Sequence, residues 1–313
     1  MGKVAFLFPG QGSQKVGMGE AAAKHSAAAR AVFASADDVL SESLSELCFR
    51  GPEQQLRLTV NTQPALLATS IALFRALGER CDLAAGHSLG EYSAHVAAGT
   101  LRFEDAIQLV RRRGQYMQEA VAVGQGAMAA ALGGDASAIE KACAETGGTV
   151  EVVNYNCPGQ LVIAGEAAAV ERAGIKIKAL GAKLRPLAVS APFHSSLMRP
   201  AEARLAPHLR EADFRDPAWP VVVNVDAETV RSAEAARDAL ARQVSRSVLW
   251  QQSIERMLEA GASVFVEIGP GRVLSSLLAR IDRAVPRVSV ESPEAFDEAR
   301  EAIARARQGP DRS

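Results

Sequence analysis

Apolar residues along this chain fall into two alternating patterns. Short apolar-rich runs read as buried strands, at 4–8 (ended by Pro9-Gly10), 83–85, 221–225, 264–268 and 287–290. Between them, alanine-rich or amphipathic stretches predict helices at 19–35, 64–77, 91–98, 103–121, 233–244 and 249–259. After Gly124-Gln125-Gly126 the pattern changes. A strand (127–132), helix (136–146), strand (149–154), strand (160–164), helix (167–180) and strand (183–189) follow. That βαββαβ order, roughly 65 residues long, is the ferredoxin-like arrangement. The polar tail after Arg305 is expected to fray.

Composition narrows the class. The chain has 313 residues, 48% of them hydrophobic, so it can bury a core without disulfides. Cys48, Cys81, Cys143 and Cys157 show no CxxC or zinc-like spacing, which predicts reduced thiols in a cytoplasmic protein. A net charge of −1 argues against a general nucleic-acid binder. Lys3 leads into a short strand rather than a secretory segment, and no apolar run approaches membrane-spanning length.

Candidate chemistry begins at Gly86-His87-Ser88-Leu89-Gly90, a glycine-x-serine-x-glycine turn between a predicted strand and helix. This is the pattern of a nucleophile elbow, in which the serine hydroxyl stands clear of the turn and faces the helix N-terminus. A serine needs a base. His25 and His208 lie in polar helical stretches and read as solvated. His95 reads as a packed helix residue, and His87 should point away from Ser88. His194 lies in Ser190-Ala191-Pro192-Phe193-His194-Ser195, an irregular stretch at the return from the small unit, where a catalytic and a structural role are both open. No aspartate stands out as a third member, so a backbone carbonyl is a candidate to orient the base. His87, Glu91 and His95 share i, i+4, i+8 spacing, but without an HExxH pattern no metal site is expected.

Arg113 is the second informative residue. At about 100° per residue it falls inside the apolar stripe of helix 103–121, between Leu109 and Met117. Arg112 falls opposite, on the exposed face. A guanidinium within the stripe needs an anion, either an internal carboxylate or a substrate carboxylate gripped in two parallel hydrogen bonds. Pro9-Gly10-Gln11-Gly12-Ser13-Gln14 fails both the Walker A and the GxGxxG patterns. Gly17-Met18-Gly19 lies too far past the strand for a dinucleotide fingerprint. The turn after strand 4–8 reads instead as a source of backbone N–H donors. Gly269-Pro270-Gly271 reads as a structural turn.

Taken together, these segments resemble the malonyl-CoA:acyl carrier protein transacylases of fatty acid synthesis and the related acyltransferase domains of polyketide synthases. The resemblance runs from Phe8 to about Leu278. It rests on Phe8-Pro9-Gly10-Gln11-Gly12-Ser13-Gln14, Thr62-Gln63-Pro64-Ala65, Gly86-His87-Ser88-Leu89-Gly90-Glu91-Tyr92, Arg113-Gly114, Asn154-Tyr155-Asn156-Cys157-Pro158-Gly159-Gln160, Pro192-Phe193-His194-Ser195, Arg242-Gln243 and Glu267-Ile268-Gly269-Pro270-Gly271. It implies an α/β-hydrolase-like catalytic domain (1–125 and 192–313) with an inserted ferredoxin-like subdomain (126–191). It implies Ser88 as the acylated nucleophile, His194 as general base and acid, and Arg113 as the clamp on the malonyl carboxylate. Backbone N–H groups of Gln11 and Leu89 would form the oxyanion hole, and the carbonyl of Gln243 would orient His194. Phe193 resembles the malonyl-type rather than the methylmalonyl-type enzymes, and Gln63 and His87 are further pocket candidates. The expected substrates are malonyl-CoA and the phosphopantetheine thiol of a transiently bound acyl carrier protein, with no bound cofactor, no nucleic acid, no membrane and a monomeric enzyme. A serine esterase or thioesterase, a trans-acting polyketide acyltransferase and a non-enzymatic docking module are the alternatives; chain length favours a discrete enzyme.

Overall fold

Ten strands occur in the computed structural model, which describes residues 2–189 and 191–308. They are β1 (Lys3–Phe8), β2 (Leu83–Gly86), β3 (Gly126–Leu132), β4 (Val150–Cys157), β5 (Gln160–Glu166), β6 (Lys183–Pro186), β7 (Val221–Val222), β8 (Thr229–Val230), β9 (Ala262–Ile268) and β10 (Arg287–Val290). Six form one sheet in the order β10-β9-β1-β2-β7-β8, parallel except for the terminal β7–β8 pair. The fold is mixed α/β. Alternate residues of β1 serve opposite faces, as the pleat dictates. Val4, Phe6 and Phe8 pack with Leu66 and Ile107, whereas Ala5 and Leu7 pack with Trp250 and Leu274. Burial on both faces is why Val4 to Phe8 reads as an unbroken apolar run.

The chain starts at the sheet centre, builds outward through β2, β7 and β8, and returns to add β9 and β10 on the other side. Ligand crevices of open α/β sheets lie beyond the carboxyl ends of strands at such a reversal. Here Phe8 is in register with Gly86, so the turn after β1 and the turn after β2 emerge side by side. That register is what brings Gln11 near Ser88.

The other four strands make a separate antiparallel sheet, ordered β4-β5-β3-β6, with its own core around Ile139, Ile163 and Ile177. It is stitched to the larger unit through Val248, whose N–H donates to Val153 O and whose carbonyl accepts from Tyr155 N, both at 2.9 Å.

Several elements differ from the sequence expectation. The helix predicted over 19–35 is two helices, Glu20–His25 and Ala27–Leu40, because Ser26 is extended and caps the second through Ala29 N. The helix expected from Pro64 begins at Thr59. The run 221–225 is a strand only over Val221–Val222, as the chain turns at Asn224 and Val225. β6 stops at Pro186. Residues 306–308 do not fray. They finish the Phe296–Gln308 helix, where Ala306 O accepts from Gly2 N and Arg307 donates to Arg80 O. The rest of that tail, 309–313, lies outside the described residues, as does Ser190. The helices Leu44–Arg50, Arg199–Glu211 and Val273–Ile281 have no counterpart in the predicted elements. All four cysteines are free and buried. No helix among the described residues is long and apolar enough to cross a membrane.

Candidate active site

Ser88 sits between β2 and the Gly90–Ala97 helix with φ 52°, a left-handed conformation that a non-glycine residue adopts only under constraint. The flanking glycines explain how. A Cβ on Gly86 would lie 1.9 Å from the Gly90 carbonyl, and one on Gly90 would lie 2.0 Å from Phe8 O. Gly10 is just as tight, with its missing Cβ 2.3 Å from His87 O. Three backbone segments therefore touch where side chains would hold them apart. The serine N–H is tied down by Asn224, whose Oδ1 accepts it at 2.7 Å while its Nδ2 donates to Gly86 O at 2.8 Å.

His194 approaches from the loop after the small sheet, also at positive φ (64°), and is 4% exposed. Its Nδ1 lies 2.8 Å from Gln243 O and its Nε2 lies 2.7 Å from Ser88 Oγ. A carbonyl only accepts, so Nδ1 carries the proton and Nε2 offers a lone pair to the serine hydroxyl. Burial and then the nearby Arg113 charge push the imidazole down to about 3, which keeps it neutral, with the Nε2 lone pair turned to the Ser88 hydroxyl.

Arg113 is 2% exposed. The Phe103–Glu119 helix presses against the start of the Thr59–Leu77 helix through Gly114, where a Cβ would meet Thr59 O at 2.7 Å. The guanidinium donates to Gln63 Oε1 (2.8 Å), Gln243 Oε1 (2.9 Å) and Ser88 Oγ (3.2 Å), and lies over the Tyr92 ring. Its Nε has no partner among the described residues. All of its hydrogen-bond partners are neutral, so of the two readings of this residue the internal carboxylate pair is not the one observed.

Around these groups lies a cavity of about 210 Å³ between the two sheets. Gln11, Gln63, His87, Leu89 and Phe193 line it together with Ser88, His194 and Arg113. Gln243 lies beneath it rather than on its wall. The backbone N–H groups of Gln11 and Leu89 have no acceptor among the described residues. His87 turns its Nε2 to Asn156 Oδ1 at 2.8 Å and tilts against Trp250, not toward Ser88. His95 is buried within its helix, and His25 is exposed. His208 is not simply solvated. It is half-buried and bonded by Tyr116 and by Arg112, which is itself half-buried rather than free on an exposed face. No cluster of three or more metal-ligating side chains occurs among the described residues.

Three contributors escaped sequence reasoning: Asn224, Glu91 and the side chain of Gln243. Glu91 is fully buried, and its Oε2 accepts from Asn224 N (2.7 Å) and Gln243 Nε2 (2.9 Å). Burial pushes its carboxyl up to about 7. The signal that singled out Arg113, a polar group where the pattern demands an apolar one, was present at Asn224 within its valine run and at Glu91 within its small-residue helix.

Residues 5–293 match the family model described as an acyl transferase domain. The malonyl CoA-acyl carrier protein transacylase of Bacillus subtilis is 46% identical over 304 residues, 95% of this chain and 96% of that protein. An acyl carrier protein S-malonyltransferase structure from Vibrio cholerae superposes with a TM-score of 0.93 at 45% identity, covering 95% of this chain and 99% of that one. A malonyl-transacylase solved with its type II polyketide acyl carrier protein gives 0.93 at 47% identity, covering 96% and 99%. A likeness this high over nearly the whole length makes this chain a member of the acyl transferase family, among the malonyl-CoA:acyl carrier protein transacylases.

Proposed function

We propose that the chain carries malonyl from coenzyme A to the phosphopantetheine thiol of an acyl carrier protein, by way of a Ser88 acyl-enzyme. One observation carries the reading. The Ser88 hydroxyl touches both a neutral imidazole and a buried guanidinium that has no carboxylate of its own. In the first half-reaction Ser88 Oγ attacks the thioester carbonyl as its proton passes to His194 Nε2. The oxyanion is received by the N–H groups of Gln11 and Leu89, each worth about 3 kcal/mol in the transition state. Collapse breaks the carbon–sulfur bond, and the departing thiolate takes the proton from His194. The carrier thiol repeats the sequence in reverse, giving its proton to His194 and leaving Ser88 free.

Arg113 binds the distal carboxylate of the malonyl group, held ready by Gln63 and Gln243. Phe193 crowds the α-carbon. Exclusion of one methyl by such a wall is worth about 1–3 kcal/mol, so methylmalonyl is disfavoured rather than barred. His87 shapes the wall beside the nucleophile. No cofactor takes part in these steps.

We read the architecture as an α/β-hydrolase-like domain (1–125 and 192–313) with a ferredoxin-like insert (126–191). The support is the strand order β4-β5-β3-β6 of a βαββαβ unit. We assign the protein to the cytoplasm as a monomer that meets its carrier transiently. Fatty acid synthesis is the expected pathway. A polyketide carrier is the second reading, favoured by the 47%-identical relative solved with one.

The test is intact-protein mass spectrometry after malonyl-CoA, then after adding each class of carrier. A malonyl adduct that S88A lacks and that a carrier thiol discharges is the expected result. Rapid release of free malonate with no adduct would make the chain a hydrolase. In R113A, malonyl loading is expected to fall roughly 100-fold or more relative to acetyl, the loss of a charged bidentate contact. An unchanged malonyl preference removes the clamp assignment.

A further inference from the structure

The unresolved question at this site is what makes a buried guanidinium tolerable while leaving it free for substrate. A carboxylate in direct contact would satisfy Arg113 but occupy its hydrogen-bonding fork. Instead, one amide stands between the guanidinium and the nearest buried acid. Gln243 Oε1 accepts from Arg113 at 2.9 Å, and Gln243 Nε2 donates to Glu91 Oε2 at 2.9 Å. The two charges fix the direction of that amide together with the Ser88 carbonyl, which accepts from the same Nε2 at 3.0 Å. A guanidinium only donates and a carboxylate only accepts, so the carbonyl end must face Arg113 and the NH₂ end must face Glu91. Both are fully buried, in a setting where aligned dipoles act strongly on one another.

Glu91 also anchors the backbone of Asn224, so the charge and the anchoring have to be told apart. It lies in the first turn of the Gly90–Ala97 helix, but its hydrogen bonds go to Asn224 N and Gln243 Nε2 rather than to its own helix. Its Oε1 is without a partner among the described residues. The acid touches neither Ser88 nor His194.

We propose that Glu91 is a positioning residue for diacid selection: it supplies the counter-charge of Arg113 through the Gln243 amide, so that the guanidinium is held and balanced without being consumed. This rests on the reading of Arg113 as the carboxylate clamp. The groups that face the acid are Arg113 from the Phe103–Glu119 helix, Asp226 from the loop after β7, and Tyr92 beside it on its own helix.

The decisive variant is E91Q. Both observed donors use the same oxygen of Glu91, so an amide oxygen can replace it there; the new NH₂ falls where Oε1 has no partner among the described residues, a cost that acetyl loading of the same protein controls for. Ser88 loading is measured at pH 8 with malonyl-CoA and acetyl-CoA on one preparation. Malonyl loading is expected to fall about 10-fold more than acetyl loading, mainly through KM, a loss that a purely structural role would spread over both substrates. Parallel losses, or no loss, overturn the proposal. If E91Q does not fold, E91D serves. It keeps the charge but shortens the reach to Gln243, and malonyl selectivity should again fall; a folded E91D with parental selectivity overturns the proposal. The underlying clamp fails separately, since R113A would then leave malonyl preference intact in the parent sequence.

Discussion

His95 and His194 are both buried, and in both burial pushes the imidazole down to about 3. At His194 the two ring nitrogens are used, one on Gln243 O and one on Ser88 Oγ. At His95 neither nitrogen has a partner among the described residues. The linkage has the same sign at each. Between pH 6.5 and 3 the unfolded chain binds a proton that the folded chain refuses, so stability falls as acid is added. By pH 5 each such histidine costs about 2 kcal/mol. Glu91, raised to about 7, acts in the opposite direction, since the folded state takes up its proton first as pH drops toward 4.5. Only the histidine that does no chemistry can be removed cleanly. H95L is therefore expected to hold or raise the melting temperature at pH 7 and to shrink the drop between pH 7 and pH 5. Thermal melts at both values check this, and an acid sensitivity equal to that of the parent would rule out His95 as a source.

Among the elements, the Phe103–Glu119 helix does the most with the least sequence. It carries as many charged residues as buried apolar ones, yet the spacing of Phe103, Ala106, Ile107, Val110 and Met117 puts Arg113 on the buried side, and the burial of all six agrees. Gly114 falls on the same stripe, but the spacing does not say what it meets. A Cβ there meets backbone, Thr59 O at 2.7 Å and Val60 Cα at 2.9 Å, and backbone cannot swing aside as a side chain can. G114A must push the two helices apart and carry Arg113 away from Gln63. We expect a loss of about 1–3 kcal/mol in urea denaturation, with malonyl loading reduced more than acetyl loading. Equal losses would mean that the contact serves packing alone. Strands were legible for the same reason as this helix: β1 is apolar without a break from Val4 to Phe8 because both faces are covered. The failures are also physical. The Phe296–Gln308 helix hides its stripe of Phe296, Ala299, Ala302 and Ile303 among charges, and the 221–225 run stops early because Asn224 spends its side chain on the Ser88 turn.

At the scale of the whole molecule, the proposed catalytic groups come from the large sheet's turns and the His194 loop, while part of the cavity wall comes from the small sheet. The elbow and the base were legible as motifs, but the wall was not. Asn156, Gln160 and Val162 reach the cavity only because β4 and β5 are held against the larger unit, which no local pattern encodes. Among the ties that hold them there, three lie beside the cavity. Val248 extends β4, His87 bonds Asn156, and Arg280 donates to Gln160 Oε1 (2.8 Å) and Pro158 O (2.9 Å) across the cleft. Val248 is buried and the His87–Asn156 bond part-buried, whereas Arg280 is exposed and separable. Its two bonds are worth about 1 kcal/mol, so R280A should lower the melting temperature by only about 2–4 °C. Its effect on chemistry should be larger than on stability. On the proposed mechanism, a malonyl group held on Ser88 is expected to survive because the narrow cleft keeps water from the ester. Loosening the β4–β5 turn admits water, and R280A is expected to release malonate from the acyl-enzyme about 2–5-fold faster when no thiol is present. Single-turnover hydrolysis of purified malonyl-enzyme measures this directly. If malonate leaves the variant no faster than the parent, the seal lies with the other ties, and the outer clip serves only to steady the turn.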